Sequence, residues 1–487
     1  MTARKKQNAF KIKNLGYIKA DDGRFLGILP RVAAHLISLF REHKNKYGLS
    51  QPQVETIVAA LTNKSFRFSE MRRIYIPKPH KPGQLRPITT PHTSDIIVMD
   101  ALSEVLNMLL RDIFLPCSHG FRKKRSGETF FMDVLSWGPI DQFVVADIVK
   151  CFDNLEHKRL LMAVQSFIDD DGIVNLINSF LITDILDREG INYNYSVKSK
   201  GIAQGCSLSP VLLNIYLHSF DLAMSRFSGT YPLVRYARYA DDILLAFRST
   251  GPQINEDNQI NDQRVHQFLP RCGKATSFLL EKATSFLLES IKERELELKS
   301  ATYKDCEPFL FLGIRVLIEK GGNVNLMAPM ARIHHKIRQM GPPWLTGRED
   351  PKKPKPTIII RKMEDKEIIS FFNKKVVAYL SFYSVCSNAF SLKDSLKREI
   401  LERCVENLAL SNRTTITSIK RKYGSRLERA KVPFLSDRKI DLILKKLLKG
   451  FQERVRQRTL DQRERKKKLD HLFPGSKLGG CVIRPPK

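Results

Sequence analysis

Two short segments of the chain carry acidic residues in positions suited to metal-ion chemistry. VVADIVKCFDNLEH (144–157) and RYADDILLAF (238–247) each contain an apolar run that predicts a buried strand next to an acid. A buried carboxylate is costly unless it is paired or bound to a metal. Carboxylates delivered by separate strands can hold two divalent cations about 4 Å apart, which activate a hydroxyl and stabilise a leaving group. Asp147, Asp241 and Asp242 are therefore candidate metal-binding residues.

The elements around these acids follow from the pattern of apolar residues. FVVADIV (143–149) predicts a strand that ends near its acid, and 234–247 predicts two strands that meet at a tight acidic turn. SDIIVMDALSEVLNMLLRDIF (94–114) has a Ser/Asp start and a wide apolar stripe, so it predicts a helix. LSPVLLNIYLHSFDLAMSRF (208–227) predicts a second helix, with a proline near its first turn.

The rest of the chain is mainly helical by the same criteria. Residues 1–70 predict helices, and RRIYIPK (72–78) predicts a short strand. GPPWLTGREDPKKPKPT (341–357) is rich in proline, glycine and lysine and predicts an extended linker. Residues 364–430 predict further helices, and 441–470 predict a basic helix.

An internal duplication interrupts this pattern. KATSFLLE occurs at 274–281 and again at 282–289. At ~100° per residue, a shift of eight residues turns the second copy by roughly 80° around a helix. The duplication is therefore expected to widen the apolar stripe of one helix, with a structural role.

Composition favours a nucleic-acid partner. The 82 lysines and arginines exceed the 51 acidic residues along the whole chain, with a net charge of +31, which suits a long polyanion. The eight cysteines form no C-x-x-C pair, which argues against a zinc finger and a disulfide framework. The longest apolar stretches are shorter than the ~18 residues that span a bilayer, so no membrane partner is expected.

Seven motifs in this order resemble those of the group II intron-encoded reverse transcriptases. The resemblance runs through most of the chain and includes both acidic segments. The motifs are RRIYIPKPHKPGQLRPITTP (72–91), SHGFRKKRSGET (118–129), ADIVKCFDNLEH (146–157), GIAQGCSLSPVLLNIYLHSFD (201–221), RYADD (238–242), LELKSA (296–301) and FLFLGI (309–314).

The resemblance implies a role for each matching residue of the polymerase. Two Mg²⁺ ions would be bound by Asp147, Asp241 and Asp242, with help from the carbonyl of Ile148. Lys78 and Arg86 in the fingers would bind the triphosphate, and the ring of Phe152 would exclude the 2′-hydroxyl. The loop of Gln204 and Gly205 would approach nucleotide and template. Arg122 would contact template or nucleotide.

A second, more diffuse resemblance covers residues 376–427, which are similar to the maturase domain X. In that family the domain is helical and grips intron RNA, so its basic residues suit contact with phosphates. The alternative is a helical thumb extension whose charges are only solvated. The candidate RNA-binding residues are Arg413, Lys420, Arg421, Lys422 and Arg426.

The resemblance implies an α+β fold: a right-hand polymerase followed by a helical maturase domain. One departure is Ala203, which replaces the family's proline before Gln204 and removes a fixed φ. The expected domains are an N-terminal RNA-binding helical extension (1–70), fingers and palm (71–314), thumb and linker (315–363), maturase domain X (364–440) and a basic C-terminal tail (441–487).

The implied function is that of a group II intron maturase with RNA-directed DNA polymerase activity. Its expected partners are its intron RNA, an RNA template with a DNA primer, and dNTPs, and a homodimer is compatible with the family. No endonuclease signature follows, since Cys481 stands alone and His471 has no partner in the sequence.

Two alternatives stay open at this point. One is a free-standing reverse transcriptase that works on a dedicated non-coding RNA, for example in phage defence. The other is a non-catalytic RNA-binding splicing factor with an idle polymerase fold. The lost endonuclease, the altered loop and the duplication favour an organelle (mitochondrion or chloroplast), with the bacterial cytoplasm as the alternative.

Overall fold

The structure, a computed structural model, describes most of the chain between residues 18 and 472. The described ranges are 18–77, 83, 85–186, 192–193, 199–248, 274–305, 307–338 and 363–472. Lys78 and the segment predicted to be a linker, 341–357, lie outside the described residues. The last residues of the basic tail, 473–487, also lie outside them.

Helices and strands alternate in the first part of the chain. The elements up to the first acidic strand are β1 (Ile18–Lys19), β2 (Phe25–Leu26), α1 (Leu29–Glu42), α2 (Lys44–Tyr47), α3 (Gln51–Thr62), β3 (Met71–Pro77), β4 (Leu85–Thr90), α4 (Thr93–Leu109), α5 (Gly127–Ser136) and β5 (Gln142–Ile148). Those that follow, up to the duplicated helix, are α6 (Cys151–Asn154), α7 (His157–Gln165), β6 (Ile168–Asp169), α8 (Asp171–Leu181), β7 (Ile185–Leu186), β8 (Asn192–Tyr193), α9 (Ser209–Thr230), β9 (Val234–Tyr239), β10 (Asp242–Phe247) and α10 (Lys274–Lys292).

The last third of the chain is mostly helical after four strands. Its elements are β11 (Leu298–Asp305), β12 (Phe309–Phe311), β13 (Ile314–Ile318), β14 (Val324–Met327), α11 (Met330–Arg338), α12 (Asp365–Tyr383), α13 (Ala389–Ser411), α14 (Ile416–Tyr423) and α15 (Asp437–Leu472). No helix among the described residues has the length and apolar character of a membrane span.

The predicted elements around the acids are confirmed. The strand expected at 143–149 is β5, and the two strands expected within 234–247 are β9 and β10. The helix expected at 208–227 is α9, which has a proline in its first turn. The helix expected at 94–114 is α4, which ends at Leu109.

The chain forms two compact units. In its described part, the first unit covers 18–126 and 144–302, and the second covers 127–143 and 303–472. These units do not follow the functional domains expected from the sequence, whose bounds stay predictions. The mixture of helices and strands agrees with the predicted α+β class.

The first unit contains the acidic strands and a large apolar core. Its sheets have the strand orders β11-β5-β10-β9, β4-β3-β7-β8 and β1-β2-β6. The core includes fully buried residues of α4 and α9 such as Leu102 and Leu213, and of β10 such as Leu245. A sheet residue that points away from this core, or past its end, can face a ligand without disturbing the packing.

One carboxylate joins the N-terminal helices to this core. Asp170 accepts hydrogen bonds from the backbone N–H groups of Gly172 and Ile173 at the start of α8. Its other oxygen accepts from Ile28 and Leu29 at the start of α1, at 2.6 and 2.9 Å. It therefore caps two helix N-termini, whose N–H groups have no partner within the helix.

The second unit is a helical bundle with a small sheet of order β12-β13-β14. A capping box of Glu364 and Glu367 begins α12. Phe372 of α12 and Leu396 of α13 are fully buried, as is Ile337 of α11. The predicted helices within 364–430 and 441–470 are confirmed.

Both copies of the duplication lie in one helix, α10, as predicted. The second copy supplies core side chains: Ala283 and Leu287 are fully buried, and the ring of Phe286 stacks on Phe227 with centroids 4.7 Å apart. Leu288 of the same copy is 48% exposed. The core contacts at 282–291 can therefore be made by one copy.

Deleting residues 274–281 leaves a single KATSFLLE in front of Ser290. We expect the melting temperature to fall by no more than about 4 °C, which corresponds to about 1 kcal/mol, because the buried side chains of the second copy are kept. Leu287→Ala is the contrasting variant and should cost about 2–5 kcal/mol through the cavity that it leaves. A deletion protein that melts as low as Leu287→Ala would show that the first copy supports the core. Thermal unfolding followed by circular dichroism makes the comparison.

Candidate active site

The acidic turn joins two paired strands. Tyr239 and Asp242 are cross-strand partners in the β9–β10 hairpin, so Ala240 and Asp241 form the turn. Ala240 has a φ of +58°, in the left-handed region that a residue with a Cβ seldom adopts. The predicted tight acidic turn is confirmed, and its conformation is strained.

Strand β5 brings the third acid next to this turn. It lies beside β10 in the sheet, and the N–H of Ile148 lies 3.4 Å from the carbonyl oxygen of Asp241. The side chains of Asp147, Asp241 and Asp242 are all half-buried. The pairing of β5 with β10 thus brings together acids that are more than 90 residues apart in the sequence. All three lie at the same end of these two central strands.

Cys151 reports the electrostatic effect of these acids. Burial raises the pKa of its thiol far above the ordinary value, and the negative charges of Asp241 and Asp147 raise it further. Arg238 opposes this effect. The thiol is therefore close enough to both carboxylates for their charges to act on it.

Carboxylate oxygens of this kind are the donors that Mg²⁺ and Mn²⁺ prefer. Among the residues that the structure describes, no three His, Cys, Asp or Glu side chains form a ready-made metal-binding group. Mg²⁺ is commonly held by one or two carboxylates together with substrate phosphates. The residues present therefore suit a metal that is bound jointly with a nucleotide.

The loop of Gln204 and Gly205 packs against strand β4. The N–H of Thr89 donates to the carbonyl of Gln204 at 2.6 Å. Gly205 has a φ of +105°, and a Cβ built on it would lie 2.8 Å from the side chain of Ile88 and 3.0 Å from the carbonyl of Thr89. Only glycine fits this approach. The structure therefore brings the loop next to the strand that carries Arg86.

The loop also has a fixed conformation without the proline. Ser209 donates its hydroxyl to the carbonyl of Ala203 at 2.5 Å, and the N–H of Ile202 donates to the carbonyl of Phe152 at 2.7 Å. The side chain of Gln204 donates to Asp153 at 3.3 Å. In the family a proline restricts φ at the position of Ala203. In this chain these hydrogen bonds hold the loop instead.

Phe152 lies in the short helix α6, directly after β5. Its ring is half-buried and meets the edge of Phe121 at a centroid distance of 6.4 Å. Arg86 is exposed on β4, opposite Ile76 of β3. The structure thus gives Phe152 and Arg86 accessible positions, whereas Lys78 lies outside the described residues.

Arg122 makes internal contacts. Its guanidinium donates to the backbone carbonyls of Leu115 and Ser118 at 2.6 and 2.7 Å, and to those of Arg111 and Phe114 at 2.9 and 3.0 Å. Burial lowers its pKa to about 10. These bonds fix the chain after α4, so the geometry gives Arg122 a structural task, and its contact with RNA stays a prediction.

Beneath the acidic turn lies an ion pair that the sequence analysis did not single out. Arg238 and Asp221 are both fully buried, and their side chains meet through two hydrogen bonds of 2.7 and 2.6 Å. The hydroxyl of Tyr236 donates to the same carboxylate at 2.6 Å. Arg238 precedes the turn on β9, and Asp221 lies on α9.

The other donors of Arg238 reach three further groups. Its Nη1 donates to the carbonyl of Ala240 at 2.7 Å and to Asn214 at 3.3 Å, and its Nη2 donates to the hydroxyl of Ser118 at 2.8 Å. Asn214 in turn donates to the carbonyl of Gly120 at 2.9 Å. A Cβ built on Gly120 would lie 2.3 Å from the backbone nitrogen of Ala240. Three sequence motifs therefore converge on the turn.

The candidate RNA-binding residues lie in the second unit, on and around α14. All of them are exposed, and two make partial ion pairs: Lys422 lies 3.7 Å from Asp365, and Arg426 lies 3.2 Å from Asp437. Such pairs are weak at an exposed surface and leave most of the charge available. The exposed set is Arg413, Lys420, Arg421, Lys422 and Arg426.

Comparison with known families assigns both parts of the chain. Residues 76–316 match the family model of reverse transcriptases (RNA-dependent DNA polymerases). This match includes β5, the β9–β10 hairpin and the loop at Gln204. Residues 322–473 match the family model of type II intron maturases.

Individual relatives agree with this assignment. The chain is 33% identical to the group II intron-encoded protein LtrA of Lactococcus lactis over 36% of its own length and 28% of LtrA. It is 22% identical to the COX1/OXI3 intron 1 protein of Saccharomyces cerevisiae over 78% of its length and 51% of that protein. It is 28% identical to the mitochondrial protein ymf11 of Marchantia polymorpha over 28% of its length and 17% of that protein. The chain thus spans between about a sixth and a half of these relatives.

The acid-bearing strands accordingly lie in a reverse transcriptase domain. The chain is a homologue of the group II intron-encoded proteins, with a reverse transcriptase domain followed by a type II intron maturase domain.

Proposed function

We propose that this chain is a group II intron maturase that binds its intron RNA to promote splicing and also copies RNA into DNA. The observation that carries the polymerase activity is the pairing of β5 with β10, which brings Asp147 next to Asp241 and Asp242. The match to both families supports the combination of the two activities in one chain.

The three acids would hold two Mg²⁺ ions, with the carbonyl of Ile148 as a further ligand. When bound, such ions lower the pKa of an attacking 3′-hydroxyl and stabilise the leaving pyrophosphate. The task of the protein is to fix the carboxylates before substrate arrives. The sheet does this, because Ile148 and Asp241 are adjacent in its backbone pairing.

The residues around the acids would bind and select the nucleotide. Arg86, exposed on β4, and Lys78 would bind the triphosphate through charge-assisted hydrogen bonds. The ring of Phe152 would lie against the sugar and exclude a 2′-hydroxyl. Gln204 and Gly205 would present their backbone to nucleotide and template, a close approach that Gly205 permits.

The expected arrangement of the whole polymerase is that of a right hand. In this proposal residues 71–314 are fingers and palm, 315–363 are thumb and linker, and 364–440 are domain X. Residues 1–70 add an RNA-binding extension, and 441–487 add a basic tail. The family matches support the order of polymerase and domain X, since the reverse transcriptase match precedes the maturase match.

The RNA would be gripped in part by the exposed cations on and around α14. Each lysine or arginine that neutralises a phosphate releases counterions, so binding should weaken steeply with salt. We place the protein in an organelle, since one relative is named as mitochondrial. The bacterial relative leaves the cytoplasm of a bacterium as the alternative.

Asp241→Asn should abolish DNA synthesis while the protein stays folded. Removing one carboxylate from a two-metal site is expected to lower the rate by about 10³-fold or more. The measurement is extension of a DNA primer on an RNA template with dNTPs, and with rNTPs in parallel. The rNTP reaction of the parent protein should be at least roughly tenfold slower, because of the ring of Phe152.

The matched control is Asp112→Asn, an exposed acid of the same unit whose side chain is 81% exposed. It should extend primers at the parental rate. If the parent protein makes no cDNA, or if Asp241→Asn retains most of the activity, the polymerase proposal is wrong. Splicing that persists in a parent without cDNA synthesis would favour the non-catalytic splicing factor.

The double variant Lys420→Gln with Arg421→Gln tests the RNA surface. If both side chains contact phosphates, the slope of log affinity against log salt should become shallower by about 1.5. Filter binding of the flanking intron RNA at several salt concentrations gives this slope. Lys320→Gln, an exposed lysine between β13 and β14, is the matched control and should keep the parental slope. A parental slope in the double variant would place the RNA contacts elsewhere.

A further inference from the structure

The buried Arg238 accounts for all of its hydrogen-bond donors inside the protein. An arginine side chain has five N–H donors, and Arg238 makes five contacts. Its side chain has no solvent exposure. It therefore has no donor left for a nucleotide, a template or a primer, and any effect on the reaction has to pass through the groups that it contacts.

One of those groups is the main chain of the acidic turn. Nη1 of Arg238, two residues before Ala240, donates to the Ala240 carbonyl within the turn. Ala240 is the residue with the strained φ of +58°, and the next two residues are Asp241 and Asp242. A strained conformation persists only where its surroundings determine it. The hydrogen bond from Arg238 to the carbonyl of Ala240 is one such constraint.

The backbone of Gly120 is a second constraint on the conformation of Ala240. Its backbone lies so close to Ala240 that no side chain fits between them. Its carbonyl is held by Asn214, which also accepts from Arg238. The segment around it runs along β9, where Arg238 N–H donates to Cys117 and its carbonyl accepts from His119. The position of the turn is thus set by one connected group of buried contacts.

Asp221 keeps the guanidinium in this position. The carboxylate accepts from Nε and Nη2 along one edge of the guanidinium, one bond to each oxygen, and also from the hydroxyl of Tyr236. Burial acts to lower the pKa of Arg238, but the charge and hydrogen bonds of Asp221, with smaller contributions from Tyr236 and Cys117, together raise it. A lysine would have three donors on a single atom, too few and too close together to replace the five contacts that the planar guanidinium makes.

We propose that Arg238, anchored by Asp221, is a positioning residue that sets the main-chain conformation of Ala240 and thereby aims the carboxylates of Asp241 and Asp242. The proposal rests on the proposed function for the role of those two acids. A displacement of about 1 Å in such a site lowers a rate by roughly 10²-fold. Arg238 does not touch substrate and is not itself catalytic.

The test is Arg238→Lys in the full chain, with Arg235→Lys as the matched control. Arg235 lies on the same strand, and its guanidinium donates to the carbonyl of Pro232 at 2.6 Å, away from the turn. Arg238→Lys should lower kcat about 100-fold, while KM for dNTP and the Kd for template–primer stay within about threefold. Arg235→Lys should leave all three at the parental values.

A second readout does not depend on activity. Binding of Mn²⁺ to the protein in the presence of dNTP, without template or primer, is followed by electron paramagnetic resonance. The midpoint should lie at a roughly tenfold higher Mn²⁺ concentration in Arg238→Lys. The parental midpoint should be kept in Arg235→Lys. If the parent makes no cDNA, the polymerase proposal fails, and this midpoint still decides the positioning role.

Ser118→Ala covers the case in which Arg238→Lys does not fold. It removes one acceptor of Nη2 and leaves the ion pair with Asp221 intact. We expect kcat to fall and the Mn²⁺ midpoint to rise, as in Arg238→Lys, but by only about three- to tenfold each. A parental kcat and a parental Mn²⁺ midpoint in folded Arg238→Lys would overturn the proposal. If that variant does not fold, parental values in Ser118→Ala overturn it.

Discussion

The ion pair between Arg238 and Asp221 lies under the acidic turn and is closed off from solvent. Removing one partner of such a pair leaves a buried charge and commonly costs about 3–5 kcal/mol. The pair is therefore tolerable only because every donor of the guanidinium is used. This requirement places Ser118, Asn214 and the Ala240 carbonyl around a single side chain. The strained turn is a consequence of that arrangement.

Helix α9 links this arrangement to the rest of the candidate site. Asn214 and Asp221 are seven residues apart, so both lie on the face that meets β9. At the N-terminus of the same helix, Ser209 holds the loop of Gln204 and Gly205, which packs against β4, the strand that carries Arg86. One helix thus contacts both the strand that leads into the acidic turn and the loop of Gln204 and Gly205.

Local patterns in the sequence predicted the strands and helices that carry the acids. An apolar run next to an acid is a short-range signal, and it placed β5 and the β9–β10 turn correctly. The pattern of 208–227, with a proline near its first turn, placed α9. The burial of Arg238 could not be predicted in this way, because a cation within a strand pattern usually faces solvent. Its partner lies on a different element, and only tertiary packing brings them together. The internal task of Arg122, whose donors reach backbone carbonyls, could not be predicted from the sequence either, and its contact with RNA stays a prediction.

We propose that Asp147, Asp241 and Asp242 bind metal ions as one site across two paired strands, jointly with the nucleotide. Fe²⁺ in place of Mg²⁺, with ascorbate and hydrogen peroxide, produces hydroxyl radicals at the bound ion that cut the nearby main chain. With template–primer and dNTP present, mass spectrometry should find cuts near both Asp147 and the Asp241–Asp242 pair, and excess Mg²⁺ should suppress them. Cuts confined to one of the two strands, or found only elsewhere in the chain, would contradict a shared site.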